Sequence, residues 1–144
     1  MKHSFSGTVV VGALGFGVLL GVAAAQGQKQ VVNVDSATAT YKELAPGASG
    51  AVLWGDMDKG PYGAFTKFVP SATFPAHTHT SDMRIVVLKG AYLYKPEKGK
   101  EKRVGAGQYL FIPGGDRHTS GPDPKEGALF YQESTGKFDL NPIK

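Results

Sequence analysis

The stretch at residues 74–90, F-P-A-H-T-H-T-S-D-M-R-I-V-V-L-K-G, decides the fold, and residues 107–118, G-Q-Y-L-F-I-P-G-G-D-R-H, answer it. Side chains on a strand alternate between faces with a period of two, so His77 and His79 point to one side. Carried on in register, the alternation puts Met83, Ile85 and Val87 on the histidine face and Asp82, Arg84, Val86 and Leu88 on the other. The second piece reads as an apolar strand stopped by Pro113, turned by Gly114 and Gly115, and delivering His118 just after the turn. Two rings on one face can share one metal ion, and His118 offers a third.

Outward from these pieces the chain keeps a β pattern. Short apolar runs recur at 31–34, 40–44, 51–54 and 64–69, with Gly and Pro between them and almost no helical periodicity. That pattern predicts an all-β sandwich or small barrel in one domain. P-G-A-S-G at 46–50 and D-K-G-P-Y-G at 58–63 read as loops by composition. The run K-P-E-K-G-K-E-K-R at 95–103 mixes Glu97 and Glu101 among its cations and reads as a solvated hairpin tip. The last strand, 128–132, sends one parity of Phe130, Tyr131 and Gln132 toward the interior.

The two pieces resemble the paired motifs of the cupin superfamily. The first motif is Gly, five residues, His-x-His, three or four residues, Glu, six residues, Gly; here His77, His79 and Gly90 match it. The second is Gly, five residues, Pro-x-Gly, two residues, His, three residues, Asn; here Gly107, Pro113, Gly115 and His118 match. Ser71 stands where the leading Gly is expected, Met83 for the Glu, and Pro122 for the closing Asn. The resemblance implies a cupin-type double-stranded β-helix, a jelly-roll barrel, over residues 26–144. It also implies that His77, His79 and His118 hold a divalent transition metal, with Fe, Zn, Cu, Mn and Ni all suited to imidazole. Of the four histidines, only His3 lies outside these ligand positions.

The missing Glu leaves the ion its full charge and at least one open position. Met83 reads either as a weak thioether ligand, which favours copper, or as packing that fills the vacated space. Asp82 replaces the carboxylate only if a bulge turns it inward. Arg84 and Arg117 lie near the motifs and read either as binders of an anionic substrate or as surface residues. The only Trp, Trp54, reads as a core or pocket-wall aromatic.

Two classes of function follow. In the first, the chain is a metalloenzyme acting on a small molecule, and cupins host dioxygenase, isomerase and metal-assisted hydrolytic reactions. Glu133 is then the one candidate acid or base besides metal-bound water. In the second, the cup is a non-catalytic module that binds or senses a ligand or metal. Two other motifs fail. Asp56-x-Asp58-x-Gly60 begins like a calcium loop, but Pro61 holds the sharp-turn position and Lys67 the closing one. Gly47-Ala48-Ser49-Gly50 lacks the spacing and the strand-to-helix setting of a nucleophile elbow.

Residues 1–25 carry Lys2, an uncharged run rich in Val, Leu, Gly and Ala, and A-A-A at 23–25, which reads as a secretory signal peptide cleaved after Ala25. An uncleaved anchor is the rival reading, since the run approaches spanning length. Export gives a periplasmic or secreted protein without stable membrane insertion once cleaved. With no Cys, the remaining domain is held by its core alone and has no thiol chemistry. The sequence pI near 9.3 reflects 16 basic against 12 acidic residues spread along the chain, which with export argues against a nucleic-acid partner. Val86, Leu88, Tyr92 and Tyr94 on the outer face call for a cover, either the N-terminal strands or a second subunit in a homodimer.

Overall fold

The structure, a computed structural model, describes residues 30–143; the predicted signal peptide lies outside them. Ten strands follow in order: β1 (Lys42–Ala45), β2 (Ala48–Gly55), β3 (Tyr62–Phe68), β4 (Phe74–Thr78), β5 (Met83–Pro96), β6 (Lys102–Gly105), β7 (Tyr109–Ile112), β8 (His118–Pro122), β9 (Ala128–Ser134) and β10 (Asn141–Pro142). All pairings are antiparallel, in the path β1-β2-β3-β9-β5-β8-β4-β10, with β6 and β7 also on β5. This curled sheet is the expected all-β cupin architecture. Among the described residues no helix is long and apolar enough to cross a membrane.

The long strand β5 makes the barrel. Residues 83–90 pair with β9 and β7 in one layer, and residues 91–96 pair with β6 and β8 in the other. The strand changes layer at Gly90, whose φ of 69° is open to glycine at little cost. A Cβ there would also meet the carbonyl oxygen of Gly127 at 2.2 Å. In the first layer the alternation holds as expected: Met83, Ile85 and Val87 are buried, and Ile85 lies level with Gln132 of β9 and Leu110 of β7.

Beyond Val87 the register slips at a bulge, which changes the parity. Tyr92 and Tyr94, expected on the outer face, are therefore buried inside. They join Ile112, Phe130 and Val104 in the main core cluster, with Phe68 packed against it. Ring centroids of Phe68 stand 4.9 Å from Phe130 and 4.5 Å from Phe74, so aromatic contacts close the gap between layers.

Three other expectations change. The run 31–34 is not a strand: Val31 is 98% exposed, and residues 31–34 pair with no strand among the described residues. The loop expected over 46–50 shrinks to a tight turn, because β2 already begins at Ala48. Trp54 is not core and does not line the cavity beside the histidines; it lies 47% exposed across Gly63 at a surface pocket with Val32, Val34 and Leu53, donating from Nε1 to the Tyr131 hydroxyl at 3.1 Å.

Candidate metal centre

Two strands and one loop bring the histidines together. His77 of β4 is the direct antiparallel partner of His118, the first residue of β8. His79 follows just past the end of β4. Ring centroids lie 4.4 Å apart for His77 and His118, 4.9 Å for His77 and His79, and 5.4 Å for His79 and His118. One nitrogen from each ring lies within 4.8 Å of the others, and all three residues are buried.

The main chain decides which nitrogen each ring offers. Nδ1 of His77 donates to the Pro75 carbonyl at 2.7 Å, Nδ1 of His79 to the Asp139 carbonyl at 2.5 Å, and Nδ1 of His118 to the Asp116 carbonyl at 3.1 Å. A carbonyl only accepts, so each ring carries its proton on Nδ1 and keeps the Nε2 lone pair free. His118 Nε2 is buried with no hydrogen-bond partner among the described residues. Burial also holds the rings neutral: it pushes His79 down to about 4 and lowers His77 and His118 below the ordinary value. Three neutral imidazoles with free Nε2 lone pairs are a donor set that fits a divalent transition metal.

An outer ring of contacts supports the ligands. The Tyr94 hydroxyl donates to Asp116 Oδ2 at 2.7 Å, and the same oxygen lies 3.3 Å from His118 Nδ1. The Tyr94 ring lies 5.2 Å from that of His118, and its hydroxyl is pushed up to about 12 by burial and then by Asp116. Asp139, whose carbonyl orients His79, is anchored by the Thr80 backbone N–H, which donates to its Oδ1 at 2.9 Å. The two motifs are also tied directly, since the N–H of Gly115 donates to the His79 carbonyl at 2.8 Å and that of Gly114 to Asp82 Oδ1 at 2.9 Å.

His77 and His79 line a cavity of about 30 Å³, room for about two water molecules. Its apolar wall includes Phe68, Phe74, Met83, Phe138 and Leu140, and its other polar side chains include Thr66, Gln132 and Ser120. Among the described residues no Asp, Glu, Lys or Arg lines it. Met83 shares this wall with the histidines and packs into the main core cluster. Asp82 points away, as the alternation required, and holds the turn before His118. Phe130 and Gln132 take the inward parity of β9.

Glu133 takes the other parity. It accepts from the Tyr131 hydroxyl at 3.0 Å on the outer face, so the expected acid or base is not in the cavity. Arg84 lies over the Phe111 ring at 5.5 Å, also outside, and Arg117 pairs with Glu97 at 2.8 Å on the surface. Sequence reasoning missed Asp116, Asp139 and Phe138. Asp116 stood two residues before His118, a signal in plain view, whereas nothing in the sequence places Asp139 beside His79, 60 residues away.

The fold and the paired histidine motifs define a cupin. Residues 29–137 match the ChrR cupin-like domain family, and the chain belongs to it. No curated relative matches the chain. Among solved structures it is similar to the polyketide cyclase RemF from Streptomyces resistomycificus, at 20% identity and a TM-score of 0.65 over 80% of this chain and 87% of that one. It is similar to KdgF from Halomonas sp., at 19% identity and a TM-score of 0.59 over 73% and 93% of the two chains. It also resembles a chain of Rhodobacter sphaeroides SigE in complex with the anti-sigma ChrR, at 19% identity and a TM-score of 0.57, covering 69% of this chain and 51% of that one. At these identities the likeness shows the fold.

Proposed function

We propose that this chain is an exported cupin that holds one divalent transition metal through Nε2 of His77, His79 and His118 and uses it on a small molecule. One observation carries the reading: every Nδ1 is occupied by a backbone carbonyl, which leaves three convergent lone pairs, one of them buried and without a partner. When bound, the ion supplies a Lewis-acidic or redox-active centre with open positions. The chain's own part is to fix the ring orientations, keep the imidazoles neutral and exclude bulk water with the apolar wall. Because, among the described residues, no acidic or basic side chain besides the proposed histidine ligands lines the cavity, dioxygenase, isomerase or metal-assisted hydrolytic reactions here draw little on proton transfer by the protein.

A non-catalytic sensing module is the second reading, and the same absence of acid–base groups favours it, as does membership of a family described by ChrR, an anti-sigma. The deciding experiment is elemental analysis of protein purified without a His tag or chelator, beside His79→Ala. About one equivalent of Fe, Zn, Cu, Mn or Ni that disappears in the variant supports the metal centre. No metal in either sample after reconstitution overturns it.

A second copy of the chain is the partner proposed for the outer face of the β3-β9-β5-β7 layer. Cross-strand rows there align Phe65, Tyr131, Val86 and Tyr109, and beside them Trp54 and Phe111. Trp54, Tyr109 and Phe111 are all exposed, aromatic surface of the kind that marks an interface, with Glu133 and Arg84 in the row between Trp54 and Phe111. Sedimentation of wild type against Phe111→Asp tests it: a monomer in both cases removes the homodimer. Export is tested by the mass of the protein recovered from the periplasm or medium, which should begin at Gln26.

A further inference from the structure

Two groups in the cavity are left over once the histidines are assigned. Thr66 of β3 and Gln132 of β9 face inward on the layer opposite β4 and β8, and each is only 2% exposed. Thr66 Oγ1 and Gln132 Nε2 have no hydrogen-bond partner among the described residues. Leaving a buried donor unmade costs about 1–3 kcal/mol, so two in one small cavity point to an absent acceptor. Tyr62 also has an unpartnered buried hydroxyl, but it packs edge-on against Phe138 and does not line this cavity.

We propose that Thr66 and Gln132 are the ligand-recognition groups of the cavity and that they bind one oxygen of a short-chain carboxylate; this deepens the proposed function and rests on its metal centre. An amide NH₂ is a donor only and a hydroxyl donates readily, so this wall calls for an acceptor oxygen. The histidine wall makes the same demand, because a metal held by imidazoles takes an oxygen lone pair in its open position. A ligand with one acceptor toward each wall satisfies both. Phe68, Phe74 and Met83 also line the cavity, and among the described residues no Lys or Arg lines it to balance an anion. Three neutral imidazoles leave a dipositive ion unneutralised, so the negative charge belongs on the ligand. The cavity of about 30 Å³ admits only the smallest acids, of one or two carbons, rather than a sugar acid or nucleotide.

The test uses zinc and acetate on wild type, Thr66→Val, Gln132→Leu and the longer Gln132→Met, which matches glutamine in length should the leucine variant not fold. Zinc content is measured first, then acetate affinity from ¹⁵N–¹H spectra, in which the Gln132 side-chain amide is identified by its loss in the variants. Wild type should bind acetate with a shift of that amide. The variants should keep zinc, bind acetate about tenfold more weakly or worse, and melt no lower than wild type when metal-free, since an unsatisfied donor has been removed. Unchanged acetate binding in the variants, or none in zinc-loaded wild type, overturns the inference and leaves the metal centre standing. If wild type takes no zinc, the metal centre falls, and the metal-free titration decides: a moving Gln132 amide upholds its ligand role, and an unmoved one ends it.

Discussion

His77 and His118 are direct cross-strand partners in the β4–β8 pair, with ring centroids 4.4 Å apart and both side chains buried. Residues 41 positions apart in sequence are thus fixed by sheet register rather than by loop geometry. Buried so closely, the rings tolerate little protonation.

The metal-free protein should accordingly be acid-labile. A histidine whose folded pKa is depressed adds no penalty above its ordinary value near 6.5; stability is lost as pH falls from there toward the folded value. For His79, lowered to about 4 chiefly by burial, the window runs from about 6.5 to about 4 and the loss is on the order of 3 kcal/mol. His77 and His118 act in the same direction. Urea midpoints at pH 8, 6 and 5 should fall, and bound metal, which keeps the folded rings unprotonated, should raise the midpoints while leaving the fall at least as steep. A level profile without metal would mean the rings are not buried neutral.

Asp116 should tune metal affinity without being a ligand. Its carboxylate accepts from Tyr94 and stands 3.3 Å from His118 Nδ1. Removing such an outer partner typically weakens metal binding 10–100-fold, so Asp116→Asn is expected about there and Tyr94→Phe at a smaller loss. Chelator competition with zinc measures both, and equal affinity in all three proteins would remove Asp116 from the site.

Asp82 separates a positioning carboxylate from a ligand. Asp82→Ala removes the acceptor for the Gly114 N–H and should cost about 1–3 kcal/mol in urea unfolding while weakening zinc binding. Asp82→Asn keeps an acceptor oxygen and should restore most of both. Complete loss of metal in the Asn variant would make Asp82 a ligand after all.

Gly90→Ala should destabilise the barrel severely. Positive φ alone costs about 1–3 kcal/mol for a non-glycine residue, and the new Cβ must also displace the Gly127 carbonyl from 2.2 Å. A loss above about 3 kcal/mol, or insoluble protein, is expected from chemical unfolding. Wild-type stability would show that β5 can change layers by another route.

The spacing of His77, His79, Gly90, Gly107, Pro113, Gly115 and His118 matched the paired cupin motifs, and that resemblance implied the fold and the ligand cluster; the residues by themselves encoded only a strand parity, a turn and positions open to positive φ. Tyr92 and Tyr94 were misplaced because a bulge adds one residue without a composition signal, and alternation then inverts. Glu133 was misjudged for a different reason. A strand's parity relative to the cavity depends on register with β3 and β5, which a single segment does not encode. Asp139 and Phe138 reach His79 only through the pairing of β10 with β4, a contact of high sequence separation.

The partners that orient the three imidazoles are main-chain carbonyls of Pro75, Asp116 and Asp139. A point mutation can exchange any side chain, but it cannot delete a peptide oxygen. The rim that holds the rings is thereby insulated from sequence drift, while wall positions outside the main core cluster, such as Leu44, Leu140 and Gln132, remain free to vary. One scaffold of this kind can change its preferred guest by successive wall substitutions, each viable, without dismantling the grip beneath.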